Sequence, residues 1–297
     1  MTPHGIMFHH FHGEGHPEGM GSIGADKLRE VIERFKSRII QAPAFHERAI
    51  SGTLEPQDIC LTFDDTLFSQ YEIAEPILAH YGIKAFWFVH TAPLIYPGWL
   101  GPAMFRDFQL EFFRNVGELH RSLRELATEE EQAAPMDLAH LAEFDFYTPE
   151  DRTYRHFRDV VLGPTRFNVL MSDLMEKLEY CPTLPLWMTP PQVRDLYVKG
   201  HSLGLHSHSH PRNMGELPGI NQIQEYGHNQ YTLYHTLGLP TGHKFPSASH
   251  PSNSYNSETL GVLRSKGVQL AFRANMESAS WPGEHLLEMP REDVANL

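Results

Sequence analysis

Short apolar runs recur along the chain, each bounded by Gly, Pro or polar clusters: GIMFH at 5–9, DICLTF at 58–63, KAFWFV at 84–89, SLGLH at 202–206, GHKFP at 242–246, VQLAF at 268–272 and LLEM at 286–289. Continuous apolarity over so few residues predicts strands buried on both faces. Between several of them the period changes to that of a helix. Leu28, Val31, Ile32, Phe35 and Ile39 share one face of 25–40, and 69–81 and 256–266 repeat the pattern. Strands alternating with helices predict an α/β fold with a parallel sheet, open or closed into a barrel.

Between Pro97 and Pro191 the strand pattern stops. The text turns helical, charged and aromatic, as in FRDFQLEFFRNVGELHRSLRELATEEEQ and RFNVLMSDLMEKLEY, and is too apolar for a linker. The chain therefore reads as a single domain over 1–297 with a helical insertion at about 97–190, carried on one loop as a lid or partner surface. The acidic run Glu129 to Glu131 reads as a solvated helix face.

Composition narrows the function. Apolar residues make up 41% of the 297 and charged ones 21%, which suits a soluble globular fold. A formal net charge of −13 repels a phosphate backbone and argues against nucleic acid as a partner. The two cysteines, Cys60 and Cys181, form no disulfide framework, and Cys60 reads as core. The amino terminus has no basic segment followed by an apolar one, and no stretch reaches the roughly 18 apolar residues of a membrane span. These features place the expected protein in the cytoplasm. The chain also carries 20 histidines, and histidine is the commonest metal ligand.

Two strand ends concentrate the chemistry. Leu61-Thr62-Phe63-Asp64-Asp65 delivers two adjacent carboxylates at the exit of an apolar strand. Successive strand residues normally diverge, but at a strand-to-loop exit both can reach one cleft. The second end is His201-Ser-Leu-Gly-Leu-His206-Ser-His208-Ser-His210-Pro, where His206 and His210 are spaced for one ion. Two imidazoles, one carboxylate and open positions for water form a catalytic site for Zn²⁺, and Fe²⁺, Co²⁺ or Ni²⁺ also fit.

TFDD at 62–65, YEIAEPILAHYGIKAFWFV at 71–89 and GHSLGLHSHSHP at 200–211 resemble the first two motifs of the polysaccharide deacetylase family, also called the chitooligosaccharide deacetylase homology family. The resemblance covers roughly 1–90 and 190–297. It implies an incomplete, distorted seven-stranded (β/α) barrel, with Asp64 as catalytic base and Asp65, His206 and His210 as metal ligands. The chemistry agrees with that assignment: a metal lowers the pKa of a bound water to near ~7, and a carboxylate beside it can take the proton.

The remaining roles rest on further resemblances. Lys244-Phe245-Pro246-Ser247 resembles the family's Arg-x-Pro-Tyr motif, with Lys for Arg and Ser for Tyr, which makes Pro246 and the Ser247 backbone N–H the expected oxyanion site. Met289-Pro290-Arg291-Glu292-Asp293 resembles a terminal segment of some relatives and nominates Arg291 to orient Asp64. Ile6-Met7-Phe8-His9 resembles an apolar-Tyr-His strand of others and nominates His9 as general acid, with His10 and His285 behind it. His12, His16, His90, His120 and His250 read as structural.

The expected activity is metal-dependent hydrolysis of an N-acyl group, foremost N-acetyl, from an amino sugar, small molecule or glycan. A cytoplasmic nucleotide- or lipid-linked sugar or glycan precursor is the expected substrate. A deformylase or other C–N hydrolase acting on a small amide is a second reading, and an inactive metal-containing module that binds a glycan or partner is a third. An oligomer is compatible with the sequence.

Overall fold

A computed structural model describes residues 2–19, 21–96, 98–142, 147–182, 185–277 and 285–297. The chain divides into two compact units, Met1–Trp99 with Pro185–Leu297, and Leu100–Leu184.

The first unit holds seven strands: β1 His4–Phe8, β2 Ile59–Phe63, β3 Phe86–Val89, β4 Ser202–Leu205, β5 Ser247–Ser249, β6 Leu270–Phe272 and β7 Arg291–Asp293. Their order is β6-β5-β4-β3-β2-β1-β7, and every pairing is parallel. The sheet curls into a nearly closed, distorted (β/α) barrel. At its seam Arg273 N–H donates to the Met289 carbonyl and Met289 N–H to the Ala271 carbonyl, without continuous pairing of the two edge strands.

Strand alternation sorts the core into two clusters. Ile6, Phe8, Leu61, Phe63, Trp87, Val89, Leu203 and Leu205 pack with Leu28, Leu78, Val193, Leu233 and Leu263 from the surrounding helices. Cys60, Phe86, Phe88, Leu270 and Phe272 point the other way and pack on Phe45 of the Ala42–Ser51 helix. Burial on both faces accounts for the uninterrupted apolar runs. Asp64 follows Cys60 and Thr62 in this alternation, so it starts on the inner side.

Three predicted elements shift. No strand forms at 242–246: Pro246 lacks the N–H a ladder needs, and β5 begins one residue later on the small, buried Ser247-Ala248-Ser249. The predicted strand at 286–289 is replaced by a 3-10 turn at His285–Leu287, with Met289 making only an isolated bridge to Phe272. The strand itself is the polar β7, beside β1. The helix expected at 69–81 starts as a π turn, Gln70–Ala74, before Glu75–Tyr81. Its buried Gln70 amide reaches back to the carbonyls of His9 and Asp64, which ties this turn to the end of β2.

The second unit is helical: Pro102–Phe112, Val116–Leu126, Glu129–Ala133, Pro149–His156 and Gly163–Lys177 pack around Phe108, Leu119, Leu123, Phe157 and Met171. Thr128 caps the short acidic helix, and Glu131 pairs with Arg166. Among the described residues, no helix is long and apolar enough to cross a membrane.

Candidate functional site

The C-terminal ends of β1, β2, β4, β5 and β6 surround one cavity of about 210 Å³, lined by His9, Asp64, Asp65, His206 and His210 together with His250, Ser252, Asn253 and Ala274, and Arg291 reaches into it from the start of β7. Beyond β2 the backbone turns through left-handed conformations at Asp65 (φ 78°) and Thr66 (φ 59°). Such strain costs about 1–3 kcal/mol per residue and persists only where surroundings impose it. Here it swings the Asp65 carboxylate back beside Asp64.

Asp65 Oδ1 lies 3.2 Å from His206 Nε2 and 3.2 Å from His210 Nε2. These side chains offer three ligand atoms within 4.8 Å of one another. His206 Nδ1 lies 2.6 Å from Ser249 Oγ and 3.1 Å from the Ser249 carbonyl oxygen; with the proton on Nδ1 and donated to that carbonyl, Nε2 would present a lone pair to an ion. This is the arrangement in which a backbone carbonyl orients a metal-binding imidazole. Asp65 Oδ1 is buried and accepts no hydrogen bond of proper geometry, yet burial of an uncompensated carboxylate oxygen is costly.

A bound cation would offset that cost. Tetrahedral Zn²⁺ with bonds of about 2.0–2.2 Å separates its ligand atoms by roughly 3.3 Å, close to the spacings of Asp65 with the two imidazoles. The residues therefore fit a divalent metal. Burial alone would raise the Asp65 carboxyl, but His210 and His206 hold it well below the usual carboxylate range.

Asp64 occupies a different environment. Arg291 donates Nη1–H to its Oδ1 and Nη2–H to its Oδ2, both at 2.8 Å, and also contacts Thr62 Oγ1 at 3.3 Å. Burial pushes the Asp64 carboxyl up, and the charge and hydrogen bonds of Arg291 together with His206 and His9 more than offset this, leaving it below the ordinary value. Asp64 Oδ2 is also 3.8 Å from His9 Nε2 and 3.9 Å from His206 Nε2. One carboxylate thus stands between the metal triad and a solvent-accessible imidazole.

Other sequence candidates fall elsewhere. Pro246 and Ser247 do not line the cavity, because β5 runs from Ser247 toward it and puts them at the far end of the strand. The Pro246 carbonyl serves Gln269 and Leu270 N–H. The cavity end carries His250-Pro251-Ser252-Asn253, a 3-10 turn in which Asn253 N–H donates to the His250 carbonyl. Ser252 N–H precedes the first bond that the turn can close, and Ser252 lines the cavity. His10 and His285 do not line the cavity.

Two histidines read as structural stand at the site. His90, directly after β3, is buried and packs edge-on against Trp187 and His210, at 5.0 and 5.7 Å between ring centroids. Burial holds its protonation well below the usual range. His250 donates Nε2–H to the Leu287 carbonyl at 2.8 Å and stacks on Tyr255, while burial lowers its pKa to about 4. The available signal is position: each immediately follows a barrel strand, His250 on the cavity wall and His90 behind His210.

Comparison with known proteins adds three findings. A family model described as polysaccharide deacetylase matches residues 170–271, which include His206 and His210 but neither Asp64 nor Asp65. No curated protein matches the sequence. Among solved structures, the Streptococcus pyogenes deacetylase PplD in complex with acetate superposes with a TM-score of 0.58 at 16% identity, covering 99% of this chain and 92% of its own. A de-N-acetylase from Aggregatibacter actinomycetemcomitans gives 0.56 at 13%, covering 98% and 95%. IcaB from Ammonifex degensii gives 0.56 at 13%, covering 98% and 93%. At these identities the structural likeness establishes the fold.

Proposed function

We propose that this chain, a divergent member of the polysaccharide deacetylase family, hydrolyses the N-acetyl group of an amino sugar in a glycan or glycan precursor, in a metal-dependent reaction. The observation that carries this reading is the placement of Asp64 within 4 Å of both His9 and the ligand imidazole of His206, while Arg291 neutralises its other side.

Asp65, His206 and His210 would hold the ion. A bound divalent metal supplies Lewis acidity and lowers the pKa of water to about 7. Asp64, kept ionised by Arg291, accepts the proton of the attacking water. Ser252 N–H stabilises the oxyanion that forms from the carbonyl. His9, whose Nε2 is 3.8 Å from Asp64 Oδ2, gives a proton to the leaving amine. The products are acetate and a free amino sugar. A cavity of about 210 Å³ suits an acyl group and its amide more than a whole oligosaccharide, so most of a glycan would lie outside it.

The test is acetate release by the Zn²⁺-loaded protein from a panel of N-acetylglucosamine oligomers and nucleotide-linked N-acetyl sugars, with N-formyl analogues in parallel. Acetate release with a matching rise in free amine is expected. Preferential formate release would shift the assignment to a deformylase, and absence of turnover across the panel would count against catalysis on amino sugars.

A further inference from the structure

His206 and His210 belong to a loop in which the His210 N–H donates to Ser207 Oγ at 3.1 Å. Ser207 and His210 both have positive φ, 61° and 57°, which L-residues abandon unless something imposes it. The Gly219–Leu237 helix adds to the constraint that the Ser207–His210 bond imposes. Glu225 Oε2 accepts the backbone N–H of His208 at 3.0 Å and of Ser209 at 2.8 Å, and Oε1 accepts the Ser209 hydroxyl at 2.7 Å. One turn further on, fully buried Asn229 accepts the His206 N–H at 3.1 Å and donates to the Val89 carbonyl at 2.8 Å and to Thr91 Oγ1 at 3.2 Å. Residues four apart share a helix face, so both grip the loop together. From the other side, Thr91 and Ala92 N–H donate to the His208 carbonyl, and His208 Nδ1 pairs with Thr91 Oγ1 at 2.9 Å.

We propose that Glu225 and Asn229 are positioning residues for the metal: they hold the strained 206–210 loop so that both Nε2 atoms face Asp65 before an ion arrives. The proposal rests on the metal reading above and adds the residues that set its affinity. His208, although it lies between the two ligands, serves as the loop's anchor to the end of β3. Without Glu225, two adjacent N–H groups and a hydroxyl lose their acceptor. The loop can then relax toward ordinary φ values, and His210 leaves the triad.

Zn²⁺ affinity, measured by competition with a chromophoric chelator, reads this without any substrate. Glu225→Ala should weaken Zn²⁺ binding about 10–100-fold, the usual effect of removing an outer-shell partner. Its apo melting temperature should fall little, and its Co²⁺-loaded form should show an altered visible absorption band. Glu225→Gln, whose amide oxygen can still accept the two N–H groups, should recover most of the affinity. If Glu225→Ala does not fold, Ser209→Ala decides, with an expected loss of a few-fold to about tenfold for one hydrogen bond. Wild-type affinity in a folded Glu225→Ala or Ser209→Ala variant would overturn the positioning role and leave the metal reading intact. A wild-type protein that binds neither Zn²⁺ nor Co²⁺ would overturn both.

Discussion

Arg291 and Asp64 form a two-pronged ion pair, with both bonds 2.8 Å and with side-chain exposures of only 1% and 2%. The pair reaches from β7 across β1 to the end of β2, so it ties the barrel seam to the site. Breaking a buried pair by removing one partner costs about 3–5 kcal/mol, because the other charge stays buried. Arg291→Met should lose stability of that order in urea unfolding at neutral pH.

The same pair has a pH signature. The folded Asp64 carboxyl sits below its unfolded value of roughly 3.9, since Arg291, by charge and hydrogen bonds, together with His206 and His9 outweighs burial. A depressed carboxyl stabilises the fold above the unfolded pKa, and that contribution fades as pH falls through the folded one. Wild-type protein should therefore lose this increment only below about pH 4. Unfolding curves from pH 3 to 7 should show Arg291→Met without it; superimposable profiles would contradict the linkage.

Metal should report itself through stability. Zn²⁺ at 100 times its Kd should raise the unfolding free energy by about 2.7 kcal/mol, provided the unfolded chain binds none. Asp65→Ala removes the carboxylate that meets both imidazoles and should abolish the shift, as should EDTA. Calorimetric melting of the two proteins with and without Zn²⁺ measures it.

His9 should separate catalysis from metal binding. Its Nε2 is 3.8 Å from Asp64 Oδ2, and the ring lies outside the ligand triad. His9→Gln should lower kcat about 10²–10⁴-fold, the usual worth of a general acid, while leaving Zn²⁺ affinity unchanged. Steady-state kinetics beside a chelator titration distinguishes this from a ligand role.

Gly5 on β1 leaves room for Arg291. A Cβ there would lie 3.0 Å from Thr62 Cγ2 and 3.1 Å from Arg291 Cγ. Gly5→Ala should cost about 1–3 kcal/mol through overpacking and should also lower turnover by displacing the guanidinium.

Much of this architecture is legible in the sequence. Runs such as ICLTF and FWFV are apolar on both faces, so their burial signal survives without context. The juxtaposition of Asp65 with His206 and His210 was readable because both segments announce themselves by residue type at a strand exit. The Ser247 reading failed for a physical reason. Phe245 and Pro246 imitate a strand end, whereas the true end of β5 is built from serines and alanine, whose burial comes from neighbouring strands instead of their own hydrophobicity. His250, which reads as structural in the sequence, and Ser252 lie at that true end. The anchoring by Glu225 and Asn229 depends on a helix packed against a loop some twenty residues earlier, and such a contact leaves no periodic trace in sequence.

The central claim is that Asp64 does the chemistry beside a metal it does not hold. The most direct measurement compares acetate release and bound Zn²⁺ in wild type and Asp64→Asn on the same N-acetylglucosamine substrate. The account predicts equal metal content, with turnover reduced about 10²–10⁴-fold in the variant. Asp64→Asn turning over as fast as wild type, or losing its metal, would contradict it.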